Sequence, residues 1–305
     1  MRRVLTVLAL SILLNAAAAA QTQAAASDGL TGPVKEVRHE TSESSQGGGA
    51  ARRGRSDSYD AKGNKIEERL FGPDGSIAQR LVYTFDARGR ATGFEEYSAG
   101  VDTPRKHVYV LNEKGERVEY KIVQPDGKAG EKRLYVYDAR GRLAEERLHE
   151  HKGQLLSRNV HAYDDAGRPV TQTRYDADGS VSSVAKVTYD AQGRPVERTR
   201  HEGGVMMYRV VYRYDSRGRL VEQETVGSVL DADVPAAEAH PPGRVSYAYK
   251  GGKQPEEATR YGPDGAARER IVFKYDSRGN WVSKTYVPLT AAGAQRAEYR
   301  TITYF

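Results

Sequence analysis

The chain has 305 residues, of which 38% are hydrophobic and 29% are charged, a polar composition for a globular protein. It also contains 20 tyrosines and 31 glycines, too many for a disordered chain, so the composition favours β-structure with a large surface. The net charge of +6 is spread among interleaved acidic residues, which argues against a nucleic-acid partner because such proteins carry a clustered basic face.

The first predicted element is a secretory signal peptide. Two arginines precede an apolar run from Val4 to Leu14, and small residues follow it. The run of about eleven residues is far shorter than the roughly 20 that span a bilayer. We expect residues 1–24 to be the signal, with cleavage after Ala20 or Ala24, and the mature chain to be exported, either periplasmic or secreted. Because the chain has no cysteine, the exported fold needs no disulfide.

The next region predicts one strand and one loop. Residues 33–40, PVKEVRHE, match residues 195–202, PVERTRHE, and so predict a strand. The glycine, serine and arginine residues of segment 41–58 predict a flexible loop. We therefore expect residues 25–58 to hold this strand and loop, and residues 59–305 to form one repeat domain.

From residue 59 the chain repeats a tile of 26 residues, exemplified by YVYDARGRLAEE at 135–146. An aromatic or apolar anchor precedes a turn, usually of the form Asp-x-x-Gly. The anchors are Tyr59, Phe85, Leu111, Tyr137, Tyr163, Tyr189, Tyr214, Tyr249 and Tyr275. A second turn signal follows most anchors, so each tile contains two turns and two strands. Apolar residues alternate with period two between these turns, which predicts strands and no helix.

The anchor turn has the chemistry of a tight loop between strands. Aspartate caps the turn with its carboxylate, and glycine takes the positive φ that other residues resist. With Asp138–Gly141 as the loop, Tyr135 lies opposite Ala144 and Tyr212 lies opposite Val221. One face of the sheet is then a column of tyrosine and valine, and a slip of one residue would move every side chain to the other face.

Two regions depart from the tile. Between Tyr214 and Tyr249 the spacing is 35 residues, and the prolines within 226–243 predict an irregular insertion. The last tile holds the only tryptophan, Trp281, and we expect residues 275–305 to cap the array. The predicted fold is all-β: a long, twisted and curled antiparallel β-meander of about nine hairpin repeats and about eighteen strands.

The tile resembles the YD or Rhs repeat of large secreted bacterial shell proteins and some animal cell-surface proteins. The resemblance covers residues of about 33 to 305. It implies long antiparallel sheets that curl in a spiral, and an association with carbohydrate binding. Larger members carry a core region rich in Asp-Pro and Gly-Gly motifs ahead of a toxin, and residues 281–305 do not resemble it. A toxin-shell function is therefore not implied.

Catalytic and metal-binding patterns are weak. His149 and His151 would share one side of a strand, but no third ligand is fixed, so we predict no metal and no other cofactor. Adjacent glutamates in the EE pairs point to opposite faces, and the motifs of nucleophilic and nucleotide-binding enzymes are missing from the sequence. We expect no enzyme activity. Charges on successive residues, as in AEERLHE, also predict that the chain does not span a membrane.

The candidate binding residues are turn arginines and face aromatics. Arginines along one edge would attract anionic ligands or pair with the turn aspartates. Aromatic rings would stack on sugars or pack within the sheet alone. The predicted binding residues are Tyr135, Tyr137, Tyr212, Phe273, Arg88, Arg140, Arg142, Arg217, Arg219 and Trp281.

These features predict a non-catalytic extracytoplasmic binding or scaffold protein with carbohydrate as its ligand. The alternative is a protein-interaction module whose partner is a secreted effector or an envelope protein. Its contact would be the open sheet edges or the loop at 226–243.

Overall fold

The computed structural model describes residues 24–44, 52–227, 242–290 and 293–305. These ranges contain a four-residue helix, α1 (Ala24–Ser27), and twenty strands. The strands are β1 (Val34–Ser44), β2 (Arg52–Tyr59), β3 (Lys65–Phe71), β4 (Ile77–Phe85), β5 (Ala91–Ser98), β6 (Arg105–Leu111), β7 (Arg117–Val123), β8 (Ala129–Tyr137), β9 (Leu143–His149), β10 (Leu155–Tyr163), β11 (Pro169–Asp176), β12 (Val181–Tyr189), β13 (Pro195–Glu202), β14 (Val205–Tyr214), β15 (Leu220–Gly227), β16 (Gly243–Ala248), β17 (Glu257–Tyr261), β18 (Ala267–Tyr275), β19 (Trp281–Pro288) and β20 (Gln295–Tyr304). In the described ranges, no helix has the length and apolar character needed to cross a membrane.

All twenty strands belong to one antiparallel sheet in which consecutive strands pair. The all-β meander is therefore confirmed. The sheet also closes, because β20 pairs with β1 from Val34 opposite Tyr304 to Ser44 opposite Gln295. Closure leaves no free edge among the described strands, so the predicted partner contact through open sheet edges is wrong. β20 completes a cylinder where the sequence predicted a cap.

Strands also occupy much of the predicted flexible loop. β1 continues to Ser44 and β2 begins at Arg52. β1 lies between β20 and β2, so its backbone polar groups find partners on both sides, which outweighs the loop-forming composition. Residues 45–51 lie outside the described ranges. So do residues 1–23 of the predicted signal peptide and residues 228–241 of the predicted insertion.

The two faces of the sheet differ in burial. Residues paired across neighbouring strands share a face, so the face that holds Tyr135 can be followed around the ring. Most buried side chains lie on this face, among them Phe94, Val187 and Ile271. We call it the inner face. The outer face carries exposed charged residues such as Lys106 and Arg209.

The cylinder is wide enough to contain a lumen. Strand pairs with extensive contacts are all neighbours in the ring, and each hydrophobic cluster is likewise local to one arc. Twenty strands spaced about 4.8 Å apart give a circumference of about 95 Å and, for a round section, a diameter of about 30 Å. Packed sheets are about 10 Å apart, so side chains from two walls do not fill this width.

Candidate functional site

Each regular anchor turn is fixed by its aspartate. Asp138 Oδ1 accepts hydrogen bonds from the backbone N–H groups of Arg140 and Arg142, each at 2.9 Å. The N–H of Arg142 contributes most to holding the pKa of the Asp138 carboxyl below its ordinary value. Gly141 has a φ of 75°, the left-handed conformation that favours glycine. The predicted roles of aspartate and glycine are therefore confirmed.

The cross-strand register differs from the prediction by two residues. Tyr135 lies opposite Glu146 where the sequence predicted Ala144, and Tyr212 lies opposite Gln223. In both hairpins the loop is one residue longer than predicted, and a bulge beside the anchor residue adds the second residue. Because the shift is even, both tyrosines stay on the predicted face, but their partners are polar.

The fifth residue of a regular turn is an arginine that joins neighbouring tiles. Arg142 Nε donates to Asp138 Oδ2 at 2.7 Å, and its guanidinium lies 4.4 Å from the ring centre of Tyr163 in the next tile. The same two contacts recur at Arg168, Arg194 and Arg219. The predicted binding residues Arg142 and Arg219 are thus engaged in contacts within the sheet.

Anchor tyrosines make the second contact between tiles. The hydroxyl of Tyr137 donates to the backbone carbonyl of Arg117 at 2.8 Å, and burial raises the pKa of Tyr137 to about 12. The equivalent hydrogen bond to the preceding tile recurs at Tyr163, Tyr189, Tyr214, Tyr249 and Tyr275. Tyr137 therefore belongs to the framework of the wall.

Exposed cations mark one end of the cylinder. Successive hairpins alternate in direction, so all anchor turns lie at the same end, and Arg88, Arg140 and Arg217 are exposed at their tips. The exposed cations at the third turn position, which we call the basic rim, are Lys62, Arg88, Lys114, Arg140, Arg217 and Arg278. Acidic residues are exposed at turns of the opposite end: Asp74, Asp126, Asp178 and Asp264. Asp126 and Asp264 pair there with Lys128 and Arg268, so the opposite end has mixed charge.

Tyr135, Tyr212 and Phe273 occupy equivalent positions two residues before their anchors, on the inner face. We define the aromatic belt as these three residues together with Tyr83, Tyr109 and Tyr247. Tyr135 on β8 and Tyr212 on β14 are six strands apart, about 29 Å along the wall. The belt is therefore a lining spread around the cylinder and not one compact pocket.

A hydrogen-bonded network lies beside the belt, and sequence analysis missed it. His107 Nε2 lies 2.9 Å from Glu96 Oε2, and His107 Nδ1 lies 2.6 Å from the hydroxyl of Tyr120. The hydrogen bond with His107 lowers the pKa of Glu96, whose other oxygen accepts from Gln79. Phe94 stacks on His107 with ring centres 4.0 Å apart. Every polar atom of the histidine is used, so the network stabilises the wall.

Two other buried polar groups on the inner face have an atom without a hydrogen-bond partner. These atoms are Nε2 of His161, a residue 9% exposed, and Nε2 of Gln223, a residue 6% exposed. Burial lowers the pKa of His161 to about 4, so its ring is neutral at pH 7. Buried polar groups nearly always have partners, so these two atoms are exceptions on the inner face. A signal for His161 exists in the sequence, because it stands where most tiles have an aromatic belt residue.

Trp281 is brought together with two cations that sequence analysis did not select. The Arg300 guanidinium lies 3.8 Å, and Lys284 Nζ 4.2 Å, from the centre of the indole ring. Metal ligands are not grouped in this way: within the described ranges, no set of three or more His, Asp or Glu side chains could hold an ion. His149 ends β9 while His151 lies in the turn after it.

The RHS repeat family model matches residues 163–206, which run from the anchor Tyr163 through β11, β12 and β13. Residues 163–206 therefore carry an RHS repeat. The turns of this RHS repeat at Asp164 and Asp190 have the same arginine and tyrosine contacts as the tiles outside it. The resemblance predicted from the sequence is confirmed.

Solved structures that match share little sequence with this RHS-repeat chain. A crystal structure of TcdB2-TccC3 is 12% identical over 84% of this chain, with a TM-score of 0.32, and the chain spans 18% of its length. A porin-like protein from Bacteroides uniformis is 12% identical over 90% of this chain and 99% of its own, with a TM-score of 0.42. The Photorhabdus luminescens Tc holotoxin pore is 12% identical over 90% of this chain and 19% of its own, with a TM-score of 0.31. These values are too low to bear on function. No curated protein matches the chain.

Proposed function

We propose that this RHS-repeat protein is a non-catalytic scaffold that binds a glycan inside its closed sheet. The observation that carries the proposal is that closure turns the aromatic belt inward, around a lumen. Aromatic faces pack well against sugar rings, and a lining of several rings suits an extended oligosaccharide. RHS repeats in a closed sheet are also consistent with the broader role of a scaffold or interaction protein.

The polar groups of the inner face support a glycan over a purely apolar ligand. His161 and Gln223 each bury an atom that lacks a partner, and such atoms cost free energy until something satisfies them. Sugar hydroxyls both donate and accept hydrogen bonds, so they satisfy a neutral imidazole and an amide equally well. An aliphatic ligand would leave both groups unpaired.

Export is part of the proposal. The N-terminal arginines, apolar run and small residues have the order of a secretory signal, and the chain has no cysteine. A glycan-binding scaffold in the periplasm or the medium would meet polysaccharides of the cell envelope or the surroundings. Immunoblotting of cell fractions for the protein, with and without residues 1–24, tests export, which retention of the intact protein in the cytoplasm would contradict.

The test of glycan binding uses Gln223→Met, which keeps the length of the side chain and removes its amide. Neutral oligosaccharides selected on a glycan array are titrated into the protein by calorimetry. We expect at least tenfold weaker binding to Gln223→Met with no loss of thermal stability, because the amide Nε2 has no partner in the free protein. The control is Gln154→Met, an exposed residue, which should bind as the wild type does. Equal affinity for all three proteins, or no binding to any glycan, would overturn the proposal.

A second candidate function is contact with an acidic protein partner at the basic rim. Six exposed cations follow the rim, and members in successive tiles are about 10 Å apart. A patch of one sign steers partners of the opposite sign. Reversing Arg88, Arg140 and Arg217 to glutamate should abolish capture of such a partner while leaving glycan binding unchanged. The control is the reversal of charge at Lys106, Lys132 and Arg209 on the outer face. An equal loss of partner capture in the two triple variants would exclude the rim as the contact.

A further inference from the structure

The group formed by Trp281, Lys284 and Arg300 lies on the inner face near the closure of the ring. Lys284 pairs across the strands with Phe273 of the aromatic belt, and Arg300 pairs with His39 of β1. The two cations contact one indole ring, Arg300 at 3.8 Å and Lys284 at 4.2 Å from its centre. Both cations therefore lie against the same ring, close enough for Arg300 to act on the charge of Lys284.

Within the described residues, neither cation has a carboxylate partner. Arg300 Nε is buried without a hydrogen bond, and no residue forms an ion pair with Lys284. The carboxylate opposite Lys284 is Glu298, but its Oε1 accepts from the hydroxyl of Tyr286 at 2.8 Å.

Neighbouring charges of the same arc are satisfied by one another. Arg260 pairs with Glu269 at 3.0 Å, and Arg55 pairs with Asp57 at 2.9 Å. Lys284 and Arg300 are therefore distinguished from the other cations of the inner face near the closure by having an aromatic contact and no anion.

Burial makes this arrangement costly in the free protein. Burial lowers the pKa of Lys284 and that of Arg300. The negative charge of Glu298 raises the pKa of Lys284 by less than burial lowers it, and repulsion by Arg300 lowers it further. A desolvated cation over an aromatic face regains part of the lost solvation, but two like charges on one ring still repel each other. An anion between them would remove the repulsion and accept their hydrogen bonds.

We propose that Lys284 and Arg300 bind an oxyanion, a carboxylate or sulfate carried by the ligand in the lumen. The inference rests on the proposed function, since it assigns an acidic sugar as the glycan. The planar guanidinium of Arg300 would donate hydrogen bonds to the oxyanion, and the ammonium group of Lys284 would add a second positive charge. The sugar ring that carries the acidic group would then reach Phe273 in the aromatic belt.

Trp281 provides the readout, because it is the only tryptophan of the chain. Its emission is followed while potassium sulfate, a galacturonate hexasaccharide or a neutral hexasaccharide is added at constant ionic strength. We expect saturable changes with sulfate and with galacturonate. Lys284→Gln and Arg300→Gln should each bind both probes at least tenfold more weakly, whereas Arg300→Lys should retain binding within about tenfold. Circular dichroism shows whether each variant keeps the fold.

The matched control is Lys274→Gln, which removes the same charge from the outer face of β18. It should bind every probe as the wild type does. Equal affinity of Lys284→Gln and wild type, or no saturable response to sulfate or galacturonate, would overturn the oxyanion site. Sulfate binding with no response to any hexasaccharide would support this site and contradict the glycan proposal. Binding of the neutral hexasaccharide alone would support the glycan proposal and contradict the oxyanion site.

Discussion

The turn after β8 and the turn after β18 begin alike and end differently. Both have an aspartate that caps the turn, but the fifth residue is Arg142 in the first and Asn280 in the second. Arg142 contacts the next tile through Tyr163. Asn280 is 2% exposed; its amide donates to the carbonyl of Thr31 at 2.8 Å and accepts from the N–H of Thr31 at 2.7 Å.

The partner of the fifth turn residue therefore differs between the turn where the sheet extends and the turn where it closes. Where the sheet extends, the fifth-position arginines Arg142, Arg168, Arg194 and Arg219 each contact a tyrosine in the tile that follows. At the closure, asparagine binds the segment before β1 instead. Asn280 also donates to the hydroxyl of Tyr304 on β20, so one side chain joins three parts of the closure.

The largest expected effect is at this closure. Asn280→Ala should lower the free energy of unfolding by about 3 kcal/mol, because it removes a buried amide that makes two hydrogen bonds with Thr31 and one with Tyr304. The control is Asn64→Ala in the first tile, where the side chain donates only to Asp60 within its own turn and the loss should be about 1 kcal/mol. Urea unfolding measures both. Equal losses would show that Asn280 has no special role in closure.

The second expected effect is a dependence of stability on pH that arises in one tile and not in the next. The pKa of His161 falls from an ordinary 6.5 to about 4 in the folded chain, and the equivalent residue of the next tile is Val187. Above pH 6.5 neither state is protonated, and stability is at its full value. Below pH 6.5 the unfolded chain takes up a proton that the folded chain does not, so stability falls until the pH reaches about 4.

His161→Val removes this dependence. Between pH 7.5 and pH 5 the wild type should lose about 2 kcal/mol more than the variant in urea unfolding. Other titrating groups act on both proteins alike, so the difference isolates His161. Parallel pH profiles would mean that the imidazole can be protonated in the folded state.

A smaller effect separates two arginines of one turn. Arg142→Ala should cost about 1.5 kcal/mol, because it removes the ion pair with Asp138 and the stacking on Tyr163. Arg140→Ala, at the exposed tip of the same turn, should change stability by less than about 0.5 kcal/mol. Thermal unfolding of the two variants measures both losses of stability. A larger loss for Arg140→Ala would show that Arg140, and not Arg142, holds the sheet together at this turn.

The smallest effect concerns the anchor hydroxyl. Tyr163→Phe removes the hydrogen bond to the carbonyl of Leu143 and should cost about 1 kcal/mol. Tyr299→Phe, an exposed tyrosine of β20, is the control and should have no measurable effect. Indistinguishable melting temperatures would show that water replaces the lost bond at the turn.

Local features of this fold could be predicted from the sequence, and long-range ones could not. Asp138 and Gly141 specify their turn within five residues, so the repeat and its strands follow from the tile. The pairing of β1 with β20 joins segments more than 200 residues apart and leaves no local pattern. The register was wrong because the turn takes five residues and is followed by a bulge at most anchors, and no distinct residue marks that bulge.

The candidate site was predictable to a similar degree. The aromatic belt follows from alternation, so Tyr135, Tyr212 and Phe273 were found on one face. The roles of Lys284 and Arg300 depend on which carboxylates their neighbours already bind, and this is set only when the strands are assembled. Asparagine also fills the fifth turn position at Asn64, so neither Asn280 nor its partner Thr31 could be selected from the sequence.

Pairing of β1 with β20 imposes an order on folding. β1 must wait for the synthesis of β20, and among the described strands this pairing closes the longest loop. Until then, two hydrogen-bonding edges remain open to other chains. A chain that ends before β20 would therefore polymerise through those edges, so complete synthesis is itself the safeguard against aggregation.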